Sequence, residues 1–213
     1  MKRRFAVLPG DGIGVDVTRE TVKVLEAVAE LEPFEMETKH FDHGADRFLK
    51  TGETLPDAVM EEFKTFDAVF MGALGDPRVP DMRHARDILL GTRFKLDLYM
   101  NLRPIRCLND RLCPLRDFKA EDIDFVVFRE NTEGAYVGMG GIFKKGTPDE
   151  IAIQEDVNTR KGVERIIRAA FEYAKAHGRS SVTMSDKSNA LRFGHDIWQR
   201  VFEEVGAEYP SIE

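Results

Sequence analysis

Apolar runs alternate with amphipathic stretches through the first hundred residues. Continuous or alternating apolar positions predict strands, whereas apolar positions three or four residues apart predict helices. We therefore expect strands at 4–9, 34–41 and 67–72, and helices at 13–31, 56–66 and 84–93. On the inner side of the first helix we expect Val17, Val22, Val24, Leu25 and Val28. Strands separated by helices predict a mainly parallel sheet covered by helices, an α/β fold.

The pattern is less regular after residue 98. Strands are predicted at 98–108, 123–130 and 180–186, and helices at 160–177 and from about 191 to 205. Glycine is frequent between Gly134 and Gly146, and the following EIAIQED (150–156) is expected to be extended and to pair outside the core. No further strand follows the last helix, so the pattern predicts the N-terminal part of a longer protein.

Composition narrows the class of protein. The 213 residues are 42% hydrophobic and 32% charged, as in ordinary soluble globular proteins. The net charge of −7 argues against binding to nucleic acid or to a lipid surface, since both need clustered positive charge. The sequence shows no signal segment and no membrane span, so we expect a cytoplasmic protein. The spacing of Cys107 and Cys113 matches no metal site, so we expect both to be free thiols.

A glycine-rich turn, LPGDGIG (8–14), joins the first strand to the first helix. A dinucleotide-binding fingerprint needs G-x-G-x-x-G, and here the glycines are Gly10, Gly12 and Gly14, with Val15 in place of the third. The spacing argues against a Rossmann fingerprint and against a plain nucleotide-binding module. The tolerance of glycine for positive φ is enough to explain such a turn.

Four arginines indicate recognition of a carboxylate. Arg93 and Arg103 flank LDLY, Arg129 ends the apolar strand DFVVF, and Arg106 is expected at the surface. A guanidinium at the end of a buried strand needs a counter-charge, and α/β proteins bind ligands at strand ends. Each arginine alone is explained by a neighbouring Asp or Glu. Together they predict a pocket for a substrate with more than one carboxylate.

Tyr136, in RENTEGAY, and Lys187, after the strand VTMSD, are the candidate proton carriers. A partly buried lysine amine can act as a base when its pKa is lowered. None of the histidines has a partner at metal-ligand spacing: His40, His43, His84, His177 and His195.

Four motifs, LPGDGIG, LDLYMNLRP, RENTEGAY and SDKSNA, occur in the order and at about the separations of the β-decarboxylating dehydrogenases. Over all its residues the chain thus resembles this family, which includes isocitrate and isopropylmalate dehydrogenases. The resemblance implies a two-domain α/β fold that is not a Rossmann fold and is incomplete at the C-terminus. It implies a cofactor-side first domain at 1–98, and a second domain at 99–213 with a dimerisation arm near 140–156.

The resemblance also implies roles for individual residues. Arg93, Arg103 and Arg129 match the arginines that bind substrate carboxylates. Tyr136 matches the tyrosine that gives a proton to the enol after carbon dioxide leaves, and Lys187 the lysine that helps to deprotonate the substrate hydroxyl in the neighbouring subunit. The first cofactor-contacting stretch corresponds to Gly72, Ala73, Leu74 and Gly75. The implied reaction is hydride transfer from a 2-hydroxy acid to NAD, then decarboxylation assisted by Mg²⁺ or Mn²⁺.

One departure from the family concerns completeness. The family's aspartate metal ligands and its second cofactor loop match nothing in these residues, so the resemblance implies no metal ligand in this chain and no activity of the chain alone. A non-catalytic regulatory subunit or a degenerate copy are the alternatives of another class. Such subunits commonly lose the tyrosine or the lysine, and the presence of Tyr136 and Lys187 favours an enzyme.

The predicted substrate is a dicarboxylic 2-hydroxy acid, with 3-isopropylmalate, of leucine biosynthesis, as the first choice. The helix before Arg93 contacts the variable side group in the family, and here it carries Leu89 and Leu90. Two leucines would leave a third carboxylate unpaired, whereas burying an isopropyl group is worth roughly 2 kcal/mol. RENTEG is more typical of the isocitrate, homoisocitrate and tartrate or malate branches, so these substrates remain alternatives.

Overall fold

A computed structural model describes residues 1–213 and divides into two compact units, Met1–Asp97 and Leu98–Glu213. The division lies next to the predicted domain boundary after residue 98. The roles assigned to the two halves remain predictions. No helix is long and apolar enough to cross a membrane.

The first unit is built on a parallel sheet. Its elements are β1 (Lys2–Leu8), α1 (Ile13–Leu31), β2 (Glu35–His40), α2 (Ala45–Thr51), α3 (Asp57–Phe63), β3 (Ala68–Met71) and α4 (Arg83–Lys95). The strand order is β2-β1-β3, with Val7 of the central strand paired with His40 on one side and Phe70 on the other. The predicted parallel sheet is confirmed, and parallel pairing places the carboxyl ends of all three strands at one edge.

The core of the first unit lies between the sheet and its helices. Ala6 and Leu8 of β1 pack there with a cluster of buried apolar side chains: Phe41, Leu55, Met60, Phe63 and Ile88. The sequence pattern missed α2, because seven residues are too few to show a helical period.

Helix α1 has its predicted bounds. The prediction of its inner face holds for Val22 and Leu25, which are half-buried, and is wrong for the other three residues. Val17, Val24 and Val28 are exposed by 46%, 61% and 39%. The buried positions are Gly14 and Thr18. A Cβ on Gly14 would lie 2.4 Å from the carbonyl oxygen of Ala73, so the helix approaches this loop too closely for larger side chains. Small residues make the contact with the loop, and Val17, Val24 and Val28 lie on the exposed side of the helix.

The second unit contains two antiparallel strand pairs and two helices. Its elements are β4 (Met100–Arg106), β5 (Asp124–Glu130), β6 (Gly140–Phe143), β7 (Ile151–Gln154), α5 (Arg160–Ala176) and α6 (Gly194–Gly206), with short 3₁₀ turns at Asp110–Leu112, Ala120–Asp122 and Ala135–Val137. Strand β4 pairs with β5, and β6 pairs with β7. Helices α5 and α6 supply most of the apolar core: Val163, Ile166, Ile167, Phe171, Val201, Val205 and Tyr209.

Two predictions for this unit have different outcomes. The extended segment at 150–156 does pair outside the core, since every residue of the β6–β7 hairpin is exposed. The strand predicted at 180–186 is wrong. Ladder-like bonds join this segment only to Glu213, with the Val182 N–H donating to the Glu213 carbonyl at 2.7 Å and the Glu213 N–H donating to the Ser180 carbonyl at 2.9 Å. A strand needs a longer run of paired backbone.

Candidate active site

Arg129 and Tyr136 lie together at the end of β5. Strand β5 carries Arg129 next to its last residue, and the 3₁₀ turn Ala135–Val137 brings Tyr136 back to it. Nη2 of Arg129 donates to the Tyr136 hydroxyl at 2.5 Å, and the guanidinium carbon lies 5.1 Å from the ring centroid. The structure thus places the Tyr136 hydroxyl, and not an Asp or Glu carboxylate of the protein, against the Arg129 guanidinium. Arg129 is therefore free to bind an incoming carboxylate.

The strand register places Arg103 on the same face as Arg129. Asn101 pairs directly with Arg129, and Arg103 pairs with Val127. Directly paired residues of an antiparallel ribbon share a face, as do residues two apart in one strand. The Arg103 side chain is exposed, and its Nε donates to the Asn101 side-chain oxygen at 2.6 Å. This face therefore presents two cations, neither held by a carboxylate.

The acidic residues of RENTEGAY build the turn that carries Tyr136. The Glu130 carboxylate accepts the N–H of Thr132 at 2.8 Å and that of Glu133 at 2.7 Å. The Glu133 carboxylate accepts the N–H and the hydroxyl of Thr159, at 2.8 and 2.5 Å, just before α5 begins. The carboxylates of Glu130 and Glu133 thus stabilise the backbone of this turn. This structural role was not predicted from the sequence.

A cavity of about 990 Å³ adjoins Arg129 and Tyr136 in the second unit. Strand β5 forms one side, and residues 179–186 with His195 and Trp198 form others. Asp186 contributes a carboxylate whose pKa is lowered, chiefly by the N–H of Ser188 at 3.1 Å. This carboxylate of the cavity lining was not predicted from the sequence. Lys187 does not line the cavity; its side chain is exposed, and its backbone N–H donates to Nδ1 of His195 at 2.7 Å.

In the first unit, the Gly72–Gly75 stretch packs against the LPGDGIG turn. A Cβ on Gly10 would lie 2.1 Å from the Ala73 carbonyl oxygen, and one on Gly72 would lie 2.1 Å from the Pro9 carbonyl oxygen. The turn and the stretch are therefore two backbones in direct contact, which only glycine permits. Close packing explains these glycines without a bound phosphate.

Asp11, inside that turn, is a residue that the sequence analysis missed. Its carboxylate accepts the N–H of Ala45 at 2.6 Å, the N–H of Gly75 at 2.8 Å and Nε2–H of His84 at 2.8 Å. His84, expected only to lack metal partners, is fully buried against Asp11. His43 is also buried, and burial lowers the pKa of its imidazole.

Helix α4 carries the predicted side-group and carboxylate residues. Leu89 is 38% exposed, whereas Leu90 and Arg93 are half-buried. Arg93 lies four residues after Leu89 and three after Leu90, so each leucine is a neighbour of Arg93 on the helix surface. The structure thus brings an apolar patch and a cation together on α4.

Comparison with known proteins identifies the family. The chain matches the family profile described as isocitrate/isopropylmalate dehydrogenase over residues 4–213. The chain belongs to the isocitrate/isopropylmalate dehydrogenase family. A 3-isopropylmalate dehydrogenase of Thermobifida fusca is 49% identical over 210 residues, and one of Streptomyces griseus is 46% identical over 208. These alignments cover 99% and 98% of this chain but 59% of each relative, so the chain spans about three-fifths of their length.

Solved structures confirm the predicted fold of this family. An isocitrate dehydrogenase from Methylococcus capsulatus matches with a TM-score of 0.81 and 32% identity, covering 99% of this chain and 59% of that one. A protein from Thermus thermophilus also matches with a TM-score of 0.81, at 33% identity, and the match covers 40% of its length.

The family implies a divalent metal, which needs a cluster of donor side chains. The structure contains no group of three or more His, Cys, Asp or Glu side chains that could hold a metal ion. Residues 1–213 therefore do not by themselves fit the metal that the family implies.

Proposed function

We propose that the whole protein catalyses the NAD-dependent oxidative decarboxylation of 3-isopropylmalate. The observation that carries the proposal is the Arg129–Tyr136 contact, in which a cation suited to a carboxylate lies 2.5 Å from a hydroxyl suited to proton transfer. Relatives named 3-isopropylmalate dehydrogenase, at 46–49% identity, favour this substrate. An isocitrate dehydrogenase is similar at 32% identity, which keeps isocitrate as the alternative to test.

Arg103 and Arg129 would hold substrate carboxylates, because the guanidinium fork matches the two carboxylate oxygens. Tyr136 would then lie beside the bound acid, where its hydroxyl can give a proton to the carbon that loses carbon dioxide. Lys187 is exposed and outside this cavity, which suits a lysine that helps to deprotonate the substrate hydroxyl in a partner subunit.

Gly72–Gly75 would contact the nicotinamide cofactor. This stretch follows β3 at the carboxyl edge of the parallel sheet, where α/β proteins bind ligands, and Ala73 is exposed there between closely packed glycines. Glycines and Ala73 leave the main chain accessible at this edge, which would allow the dinucleotide to approach it. When bound, NAD supplies the acceptor for the hydride of the hydroxyl-bearing carbon.

Leu89 and Leu90 would set the preference for an isopropyl group. Leu89 is partly exposed one turn from Arg93, so the substrate could bury an apolar group on the helix that holds its carboxylate. That burial is worth roughly 2 kcal/mol for a branched side group. The third carboxylate of isocitrate would instead lose water without gaining a partner.

Steady-state kinetics of the whole protein test the substrate. NADH formation is measured with 3-isopropylmalate, isocitrate and malate under one set of conditions with Mg²⁺ or Mn²⁺. We expect the highest kcat/KM for 3-isopropylmalate. A higher kcat/KM for isocitrate would establish the alternative.

We further propose that residues 1–213 do not complete a turnover by themselves, because they contain no candidate ligand group for the metal. The purified 213-residue chain should produce no NADH above background with any of the three acids. Turnover by the pure chain would contradict this proposal.

We propose a homodimer formed through the β6–β7 hairpin. Its apolar side chains Ile142, Phe143, Ile151 and Ile153 are each more than half exposed. Two-stranded hairpins leave unpaired edges and, alone, are marginally stable in water. Deleting residues 144–155 should convert the whole protein to a monomer by light scattering. A dimeric mass after the deletion would show that another surface makes the dimer.

A further inference from the structure

A buried carboxylate–imidazole pair lies next to the predicted cofactor stretch in the first unit. We infer that Asp11 and His84 are positioning residues that hold the Gly72–Gly75 loop in the conformation that binds the dinucleotide. This inference rests on the proposed function, because it assigns the loop a cofactor.

Asp11 holds the loop through both its backbone and its side chain. The Asp11 N–H donates to the Ala73 carbonyl at 2.7 Å, and the Asp11 carboxylate accepts the Gly75 N–H at 2.8 Å. These two bonds fix the middle and the end of the loop, while the Gly72 N–H donates to Leu8 of β1 at 2.8 Å. The loop is thereby anchored at three of its four residues.

His84 holds Asp11 in the correct orientation. Oδ2 of Asp11 accepts both the Gly75 N–H and Nε2–H of His84, so the imidazole fixes the oxygen that binds the loop. The ring of Phe48 stacks on His84 with centroids 5.9 Å apart, which restricts the imidazole further. His84 lies in the first turn of α4, so the same pair also ties the loop to the helix that carries Leu89 and Arg93.

Burial separates this role from catalysis. His84 is fully buried. Asp11 borders a cleft beside the turn, but it is only 7% exposed and its carboxylate is already bonded to three N–H donors of the protein, so we assign the pair to the loop and not to the chemistry. The pair therefore acts through the loop. A positioning role predicts a loss of cofactor affinity that exceeds any loss in the rate of the chemical step.

The test uses His84→Leu, His84→Gln and Asp11→Asn in the whole protein. The Gln side chain can place an amide N–H near the position of Nε2, so His84→Gln can keep the bond to Asp11 while His84→Leu removes it. The matched controls are His40→Leu, at an exposed histidine, and Asp16→Asn, at an exposed aspartate of α1. Titration calorimetry measures the NAD affinity, and steady-state kinetics at saturating NAD measure kcat. NMR measures the exchange rate of the Gly75 amide.

For His84→Leu and Asp11→Asn we expect NAD affinity to fall about tenfold or more and Gly75 amide exchange to accelerate by a similar factor, as for loss of a charged hydrogen bond. We expect kcat to fall less, His84→Gln to recover most of the NAD affinity, and both controls to match the wild type. Should His84→Leu fail to fold, the NAD affinities of Asp11→Asn and His84→Gln are compared. The affinity should fall in Asp11→Asn and stay close to that of the wild type in His84→Gln.

Wild-type NAD affinity and Gly75 exchange in a folded Asp11→Asn variant would overturn the inference. So would an equal loss in His84→Leu and His84→Gln, which would show that the bond to Asp11 is irrelevant. A wild-type protein that binds NAD but prefers another acid overturns only the proposed substrate. A wild-type protein that binds no NAD overturns both proposals.

Discussion

The two units each place a polar pair near a strand end, and the pairs differ in how far the fold satisfies them. Asp11–His84, in the first unit, is buried, and the carboxylate accepts three hydrogen bonds. Arg129–Tyr136, in the second unit, is open: Tyr136 is 45% exposed, and Arg129 binds a phenol instead of a carboxylate.

This difference separates positioning from binding. A buried charge must have its donors inside the protein, since an unpaired one costs several kcal/mol or more. Asp11 meets that requirement with three donors from the protein. Arg129 lines a cavity without a carboxylate partner from the protein, and a substrate carboxylate can supply that partner. Substitution of the two pairs should therefore affect different quantities.

The largest effect is expected for Tyr136→Phe in the whole protein. Loss of the hydroxyl to which we assign proton transfer should lower kcat by about 10²–10⁴-fold. Because the side chain is exposed, the free energy of unfolding should change by less than about 0.5 kcal/mol. Steady-state kinetics and urea unfolding measure the two quantities. Tyr99→Phe, at a half-buried tyrosine, is the matched control, and equal losses of kcat in both variants would remove Tyr136 from the chemistry.

Asp11→Ala should show the opposite behaviour. It leaves two backbone N–H groups and the His84 imidazole without an acceptor, so we expect the free energy of unfolding to fall by about 3–5 kcal/mol. Urea unfolding of Asp11→Ala and of the exposed control Asp16→Ala measures the difference. A loss below about 1 kcal/mol would mean that water replaces the carboxylate and that the pair does not hold the loop.

The sequence predicted most strands and long helices of both units because apolar periodicity reports local structure. It failed where the outcome depends on contacts distant in sequence. Val17, Val24 and Val28 of α1 were predicted on the inner side but are exposed, whereas Gly14 and Thr18 are buried. The apolar period of a helix does not report how closely a distant loop, here that of Ala73, approaches it. Residues 180–186 look like a strand, but strand formation also requires a pairing partner.

The candidate site shows the same limit. Motif resemblance predicted Arg129 and Tyr136, which the structure brings within hydrogen-bonding distance. Asp11 was overlooked, because an aspartate between glycines looks like an ordinary turn residue. Its partner His84 lies far along the chain, and no local spacing predicts their contact. A charged residue inside a glycine-rich turn was the available signal.

Arg129→Ala should have a smaller, uniform effect on substrates. Loss of a charged hydrogen-bonding partner should lower kcat/KM for 3-isopropylmalate and for malate alike, since both carry the carboxylate. The loss of transition-state stabilisation should be about 1.5–3 kcal/mol for each acid. Kinetics with both acids measure it. The matched control is Arg106→Ala, since Arg106 is exposed on the same strand pair and bonded to Asp124. If Arg106→Ala causes the same loss of kcat/KM, the loss comes from removing one positive charge on this strand pair and not from removing a specific carboxylate-binding residue.

The smallest effect is expected for Leu89→Ser, and it concerns only one substrate. Leu89 is 38% exposed on α4, so its removal should cost little stability. It would remove apolar contact with the isopropyl group, so kcat/KM for 3-isopropylmalate should fall by about 1–3 kcal/mol, the usual worth of such contacts. Malate has no isopropyl group, and its kcat/KM should hardly change. Leu49→Ser, at another exposed leucine of the first unit, is the control. Equal losses for both acids would show that Leu89 supports the helix and does not select the side group, and the choice of 3-isopropylmalate would then rest on the relatives alone.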